Sequence, residues 1–269
     1  MSKLSEYLCT ERVVTRLEKA DLSLDGLRLA HGCHFYVDSR RELNIQNMAA
    51  PKRANFTVRC STLLAITGSP GAKDYDMIAR GMKAHTNLQA QGGTAIFDFL
   101  KRREDGRKIT FRFSDGYVRD SLRRSNDRTS KFAMIDVDTI GRLSTPKQIL
   151  FYTRAVMAQA STFPMFTLPW SAERTAPWRD VKRSWLSAAE RLSKLLGQDY
   201  LLEPMVDAET DEVSRVKVKI VKKVSAWGPE KLFPRQADQS VCTVISGKAR
   251  SLSKSELQER RKWTRADSP

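Results

Sequence analysis

Histidine is scarce in this sequence, with only His31, His34 and His85 among 269 residues. No Ser/His/Asp or Cys/His nucleophilic constellation can be assembled from three such residues. A DNA nickase would need two histidines around an apolar residue on a strand, to hold a metal beside a tyrosine nucleophile. His31 and His34 have the wrong spacing for that. Cysteine is equally sparse: Cys9, Cys33, Cys60 and Cys242 lie far apart and form no CxxC pair. This fits reduced thiols and argues against a zinc finger. His31, Cys33 and His34 bunch together, but ligands so close in sequence cannot easily all reach one tetrahedral ion, so they read as packed or solvated side chains. Long apolar runs are missing too. None approaches the roughly 20 residues of a spanning helix, and the opening MSKLSEYLCTERVV has no apolar signal core. The expectation is a soluble cytoplasmic protein with no membrane partner.

Enzyme motifs fail one by one. Gly68-Ser-Pro-Gly-Ala-Lys73 is glycine-rich with a lysine, yet lacks the spacing and the Ser/Thr after lysine of a phosphate-binding loop, and reads as a turn. Asp136 and Asp138 could share a magnesium ion, but helix capping explains Asp138 as well. The chain is therefore expected to be no enzyme and to need no cofactor.

Acidic residues are in deficit, 31 Asp plus Glu against 47 Lys plus Arg, for a net charge of +16. Such a balance favours an anionic partner, nucleic acid before a membrane surface. With 41% hydrophobic residues the chain can build real cores, and its length predicts two domains of roughly 100 to 130 residues.

Leu4 to Ala20 reads as a helix of mixed polarity, and Leu22 to Arg40 as a second element. A breaker-rich basic segment, Asn47 to Asn55, follows. Next, Phe56 to Arg59 reads as a strand, Ser61 to Ile66 as a short helix, Gly68 to Gly71 as a turn and Ala72 to Asn87 as a helix. That helix sets Tyr75, Ile78, Ala79 and Met82 on its apolar side, with Lys73, Arg80, Lys83 and His85 off it. Strands Thr94 to Arg102 and Lys108 to Ser114 flank a tight turn at Glu104-Asp105-Gly106. Alternation puts Phe97 and Phe99 on one face. Arg119 to Arg128 is a hydrophilic helix and connector. Phe132 to Val137 is strand-like, Asp138 caps a short helix through Leu143, and Thr145-Pro146-Lys147-Gln148 is a capping box opening a helix through Ala160. That helix buries Ile149, Tyr152 and Val156. Met165 to Leu168 is a short strand.

The strongest signal runs from Pro177 to Lys222. Trp178, Val181, Trp185, Ala189, Leu192 and Leu196 fall at helical steps along one face, while Arg179, Lys182, Arg183 and Ser187 lie elsewhere. Gly197 stops the helix. Tyr200 to Val206 and a strand alternating Arg215, Lys217 and Lys219 with Val216, Val218 and Ile220 then make a hairpin. Its tip carries Asp207, Glu209, Asp211 and Glu212, which a minor groove would repel. Beyond Ser225, Pro229, Pro234 and polar residues suggest an extended segment, Val241 to Ile245 can add a strand and Ser251 to Trp263 a basic helix, and the tail is assigned no packed role.

Strand, helix, turn, helix, hairpin appears twice, near 56 to 114 and near 132 to 222. The expected architecture is α+β, two tandem winged-helix domains: an N-terminal helix at 1–21, a first domain at 22–118, a second and main DNA-reading domain at 119–224, and a basic extension at 225–269. Arg179, Lys182, Arg183 and Ser187 are candidate base readers, since a guanidinium can meet guanine O6 and N7 in bidentate fashion. Arg215, Lys217 and Lys219 point to solvent in this reading and can meet phosphates. Lys73, Arg80 and Lys83 are a second groove-reading set or a dimer surface, and Arg123 and Arg124 can clamp phosphates between the modules.

This order resembles the plasmid replication initiators of the RepA/RepE class across roughly 22 to 223. The likeness is sharpest from ITFRFSDGYV through KFAMIDVDTIGRL and TPKQILFYTRAVMAQA to WRDVKRSWLSAAERLSKLLGQDYLLEP and VKVKIVKK. The resemblance implies double-stranded DNA as partner, in the form of origin repeats, together with duplex opening, host replication proteins and a homodimer through the first domain. The rival readings are a winged-helix transcriptional repressor and an RNA-binding structural protein.

Overall fold

Thr10 divides the N-terminal segment in two. Ahead of it, Tyr7 and Cys9 alternate into the core from strand β1, Glu6–Thr10. Behind it, its hydroxyl accepts the Val13 N–H at 3.3 Å and caps helix α1, Glu11–Lys19. The single helix expected over 4 to 20 is thus a strand and a helix. The cause is distant in sequence: β1 pairs antiparallel with β5, Phe132–Asp136, setting Glu6 opposite Asp136.

The computed structural model describes residues 5–43, 54–66, 75–122, 131–159, 161, 164–169, 178–206, 213–221, 242–245, 247–251 and 255. It is an α+β structure in two compact units, Met1–Thr153 and Arg154–Pro269. The turn at 68–71, most of the basic segment 47–55, the acidic tip 207–212 and residues 225–241 lie outside the described residues.

In the first unit, Ser23 caps helix α2, Leu24–Ser39, by accepting the Gly26 N–H at 3.2 Å. Strand β2, Phe56–Arg59, helix α3, Cys60–Ile66, helix α4, Asp76–Ala90, and strands β3, Phe97–Arg102, and β4, Lys108–Phe113, follow in order. The sheet order is β2-β4-β3, so the last strand lies in the middle. Helices α2 and α4 touch through small residues: a methyl group on Gly81 would stand 2.7 Å from the Asp25 carbonyl oxygen. Between helices and sheet, Phe97 stacks on Phe113 at 5.3 Å, and Phe113 on Tyr117 at 4.7 Å. Tyr117 belongs to helix α5, Asp115–Ser121.

Strand β3 departs from simple alternation. A bulge between Phe97 and Phe99 places Phe97 in the core, 1% exposed, and Phe99 outside, 38% exposed. An extra residue in one strand of a ladder re-aims the side chains that follow it. The expected turn is present, with Gly106 at φ 63° and its N–H donating to the Arg103 carbonyl at 2.9 Å.

The three histidines are packed. His31 Nδ1 is hydrogen-bonded to the Tyr7 hydroxyl, and His34 Nδ1 to the Tyr117 hydroxyl at 2.7 Å. His85, expected off the apolar side of α4, is buried with its Nε2–H donating to the Gly26 carbonyl at 3.0 Å. Ala79, expected on the apolar side, is exposed instead. Burial pushes His31 and His85 down to about 4 and His34 to about 3.

Helix α6, Val137–Arg142, is capped by Asp136 rather than Asp138: the Asp136 carboxylate accepts the N–H groups of Asp138 and Thr139, each at 3.1 Å. Helix α7, Pro146–Gln159, starts as expected, with Thr145 Oγ1 accepting the Gln148 N–H at 3.2 Å. The Gln148 side chain bonds back to the Ser144 N–H at 2.8 Å.

The second unit holds strand β6, Met165–Thr167, helix α8, Trp178–Leu196, and strands β7, Asp199–Val206, and β8, Val213–Val221. It also holds β9, Cys242–Ile245, and β10, Lys248–Ser251. The sheet order is β10-β9-β7-β8-β6. The strand expected at Val241 to Ile245 is present as β9, and it gives the C-terminal segment a packed role. Tyr200 pairs with Val244, the Gly247 N–H donates to Ser193 Oγ at 2.9 Å, and the Ala249 N–H donates to Glu190 at 2.7 Å.

In the first unit β2 leads through α3 and α4 to a hairpin, in the second β6 leads through α8 to a hairpin, and in each the first strand pairs with the third: β2 with β4, β6 with β8. The second occurrence starts later than 132. Strand β5 belongs with β1, and β6 takes the corresponding place.

Candidate nucleic-acid interface

Helix α8 forms because its apolar residues recur at helical steps. Trp185, Ala188, Ala189, Leu192 and Ser193 are buried as one stripe. The opposite side is cationic and polar. Arg183 and Ser187 are exposed on that side, so two of the four expected base readers share it, while Lys182 is half-exposed and lies in step with the buried Ala189, at the edge of the stripe. Arg179 lies on the first turn, and its side chain is outside the described residues, as is that of Trp178. Val181 and Leu196, expected in the core, are half-exposed.

The exposed side of α8 runs one turn beyond the residues expected from the sequence. Arg191 and Lys194 are also exposed and continue the line begun by Arg183 and Ser187 at steps of four, four and three. The spacing alone carried that signal. Glu190 lies on the same side, between Ser187 and Lys194 in helical position, and its carboxylate, which accepts the Ala249 N–H at 2.7 Å, keeps a negative charge among these cations.

On strand β8 the expected solvent-facing cations separate. Arg215 is exposed, with Nε 3.2 Å from Met205 Sδ, and Lys217 is half-exposed. Lys219 is buried and ion-paired with Glu203, Nζ to Oε1 2.7 Å, so it is not available to a phosphate. The sheet order buries it. Strand β8 is not an edge: β6 flanks it, with Met165 opposite Lys219, and β7 flanks its other side, with Leu201 opposite Lys219. Burial raises the Glu203 carboxyl above its ordinary range, while Lys219 pulls it back.

In the first unit Lys83 is exposed on α4. Arg80 is held by Asp25 of α2, Nε to Oδ2 2.6 Å, and would have to give up that pair to reach a phosphate. Lys73, Arg123 and Arg124 lie outside the described residues. Asp136 is occupied as a helix cap and Asp138 sits in the first turn of α6, so the pair is bound up in helix capping.

No helix among the described residues is long and apolar enough to cross a membrane. No protein-family model matches the chain, and no curated protein does. Among solved structures, the fold is similar to that of the Pi initiator protein, solved in complex with iteron DNA. The match covers 83% of this chain and 100% of that one, with a TM-score of 0.53 and 12% sequence identity. The expected likeness to replication initiators is thereby borne out at the level of fold, and the chain has the fold of an initiator protein.

Proposed function

We propose that this chain is a sequence-specific double-stranded DNA-binding protein, a plasmid replication initiator that binds origin repeats and helps open the duplex. The observation that carries the proposal is the likeness over 83% of the chain to a protein solved on iteron DNA. Two features of the chain support it independently. The net charge is +16, and α8 exposes Arg183, Arg191 and Lys194 on the side away from its buried stripe.

In this reading each unit is a winged-helix domain, since a strand paired with the second strand of a following hairpin is the order both repeat. Helix α8 enters a major groove, where Arg183 and Arg179 meet guanine edges, Ser187 and Lys182 add polar contacts, and Arg191 and Lys194 meet phosphates as the helix leaves the groove. Lys217 and Arg215 contact the backbone from β8. Helix α4 is the second reader through Lys83, and Lys73, Arg123 and Arg124 supply further cations for phosphates. No catalytic group is assigned. Pairing with a second copy through the first unit and docking of host replication proteins belong to the same proposal.

A footprint on the DNA flanking the coding region tests it. Protection of tandem repeats spaced by about two helical turns, next to an AT-rich stretch, is the expected result. Protection of a single short palindrome would make the chain a repressor, and uniform coating of any sequence would overturn base reading.

A further inference from the structure

The bulge in β3 turns a phenylalanine to solvent. Phe99 is 38% exposed while Phe56, Phe97, Phe111 and Phe113 fill the inner face of the same sheet. By register Phe99 lies opposite Arg112, Lys101 opposite Thr110, Thr110 opposite Thr57 and Lys108 opposite Arg59. All of these side chains are exposed or half-exposed. The outer face of the β2-β4-β3 sheet thus presents one aromatic ring among four cations and two hydroxyls, the hydroxyls of Thr57 and Thr110 meeting at 3.1 Å. A cavity of about 500 Å³ opens against Phe99, Lys101, Arg103 and Thr110, with Glu104 and Asp105 at its turn end. Among the described residues no carboxylate pairs with Arg59, Lys101 or Lys108.

The composition of this face selects its partner. Two copies pressed face to face would set these cations against each other, so the face is ill suited to self-association. A duplex would satisfy the cations but hides its base faces in the stack, leaving Phe99 idle. Unpaired nucleotides satisfy both, since a free base stacks on an aromatic ring while its phosphates lie against lysine and arginine. We infer that the outer face of the β2-β4-β3 sheet binds single-stranded nucleic acid, with an unpaired base stacked on Phe99 and phosphates held by Arg59, Lys101 and Lys108. The inference stands apart from duplex reading by α8, because every residue it uses lies on this one sheet.

The test is fluorescence anisotropy of the full chain with labelled oligodeoxythymidylate of about 12 nucleotides, and with oligouridylate of the same length. Wild type binds at least one of the two, and which one it binds distinguishes a DNA from an RNA strand. Phe99→Ala weakens that binding by about tenfold or more, with duplex affinity unchanged within about twofold and the melting temperature preserved. Phe99→Trp retains binding and adds an emission that the oligonucleotide quenches, which a merely structural ring would not show. Lys101→Glu, at a second exposed position, weakens oligonucleotide binding and lowers its salt dependence by about one charge. Unchanged oligonucleotide binding in Phe99→Ala, failure of wild type to bind either oligonucleotide, or an equal loss on duplex DNA would overturn the inference.

Discussion

Lys219 and Glu203 are each unsuited to burial alone, and they are buried together at 2.7 Å. Removing one partner strands the other charge in a poor solvent. Lys219→Met is therefore expected to destabilise the fold by about 3 to 5 kcal/mol, and Glu203→Leu combined with Lys219→Met to recover most of it. Urea unfolding of the three chains checks this, and a single variant as stable as wild type would contradict the pairing. The histidines make a second prediction at this scale. Folded, His31 and His85 titrate near 4 and His34 near 3, well below their ordinary 6.5, because burial disfavours the charged imidazole. The unfolded chain takes up these protons near 6.5, so unfolding binds protons as the solution is acidified. The stability is fully present above pH 6.5 and is lost as the pH falls towards 4, with a slope of at most about 4 kcal/mol per pH unit for three sites. Urea midpoints should hold level from pH 7.5 to about 6.5 and fall from there to pH 4.5. Replacing His31 and His34 by Gln should flatten the curve.

At the scale of elements, α8 concentrates the base-reading proposal. Arg183→Ala is expected to weaken binding to the repeat duplex by tenfold or more, in line with a bidentate contact worth about 1 to 3 kcal/mol, and to weaken random duplex much less. Equal losses on both, in a competition titration, would reduce Arg183 to a phosphate contact. Much of this element was legible in the sequence, because an amphipathic helix advertises itself locally: Trp185, Ala189 and Leu192 recur at helical steps and are buried. Strands β2, β4 and β7 were legible for the same reason. What escaped was set by distant partners. The segment before Thr10 became a strand because β5 pairs with it. Lys219 went inside because β6 flanks β8. The C-terminal strands were undervalued because their place beside β7 depends on a pairing across a long stretch of chain. The bulge that exposes Phe99 left no mark in the alternation, which simply put both phenylalanines on one face.

For the whole molecule, the charge of +16 predicts a steep response to salt. Affinity for duplex DNA should fall linearly in log–log terms, by about 0.9 for each phosphate neutralised, and thus by about a thousandfold between roughly 50 and 200 mM salt if some six phosphates are engaged. Anisotropy titrations at several salt concentrations check this, and a flat response would detach the basic composition from DNA binding. The pairing of β1 with β5 also carries a consequence for how the chain is made. Strand β1 is made well before β5, and its hydrogen-bonding partner is complete only once Asp136 has followed. Until then Tyr7 and Cys9 have no β5 beside them, and the first unit cannot close segment by segment as a run of local contacts would. A chain stalled before residue 131 should therefore expose β1 to protease, whereas one released with β5 and α6 complete should shield that strand.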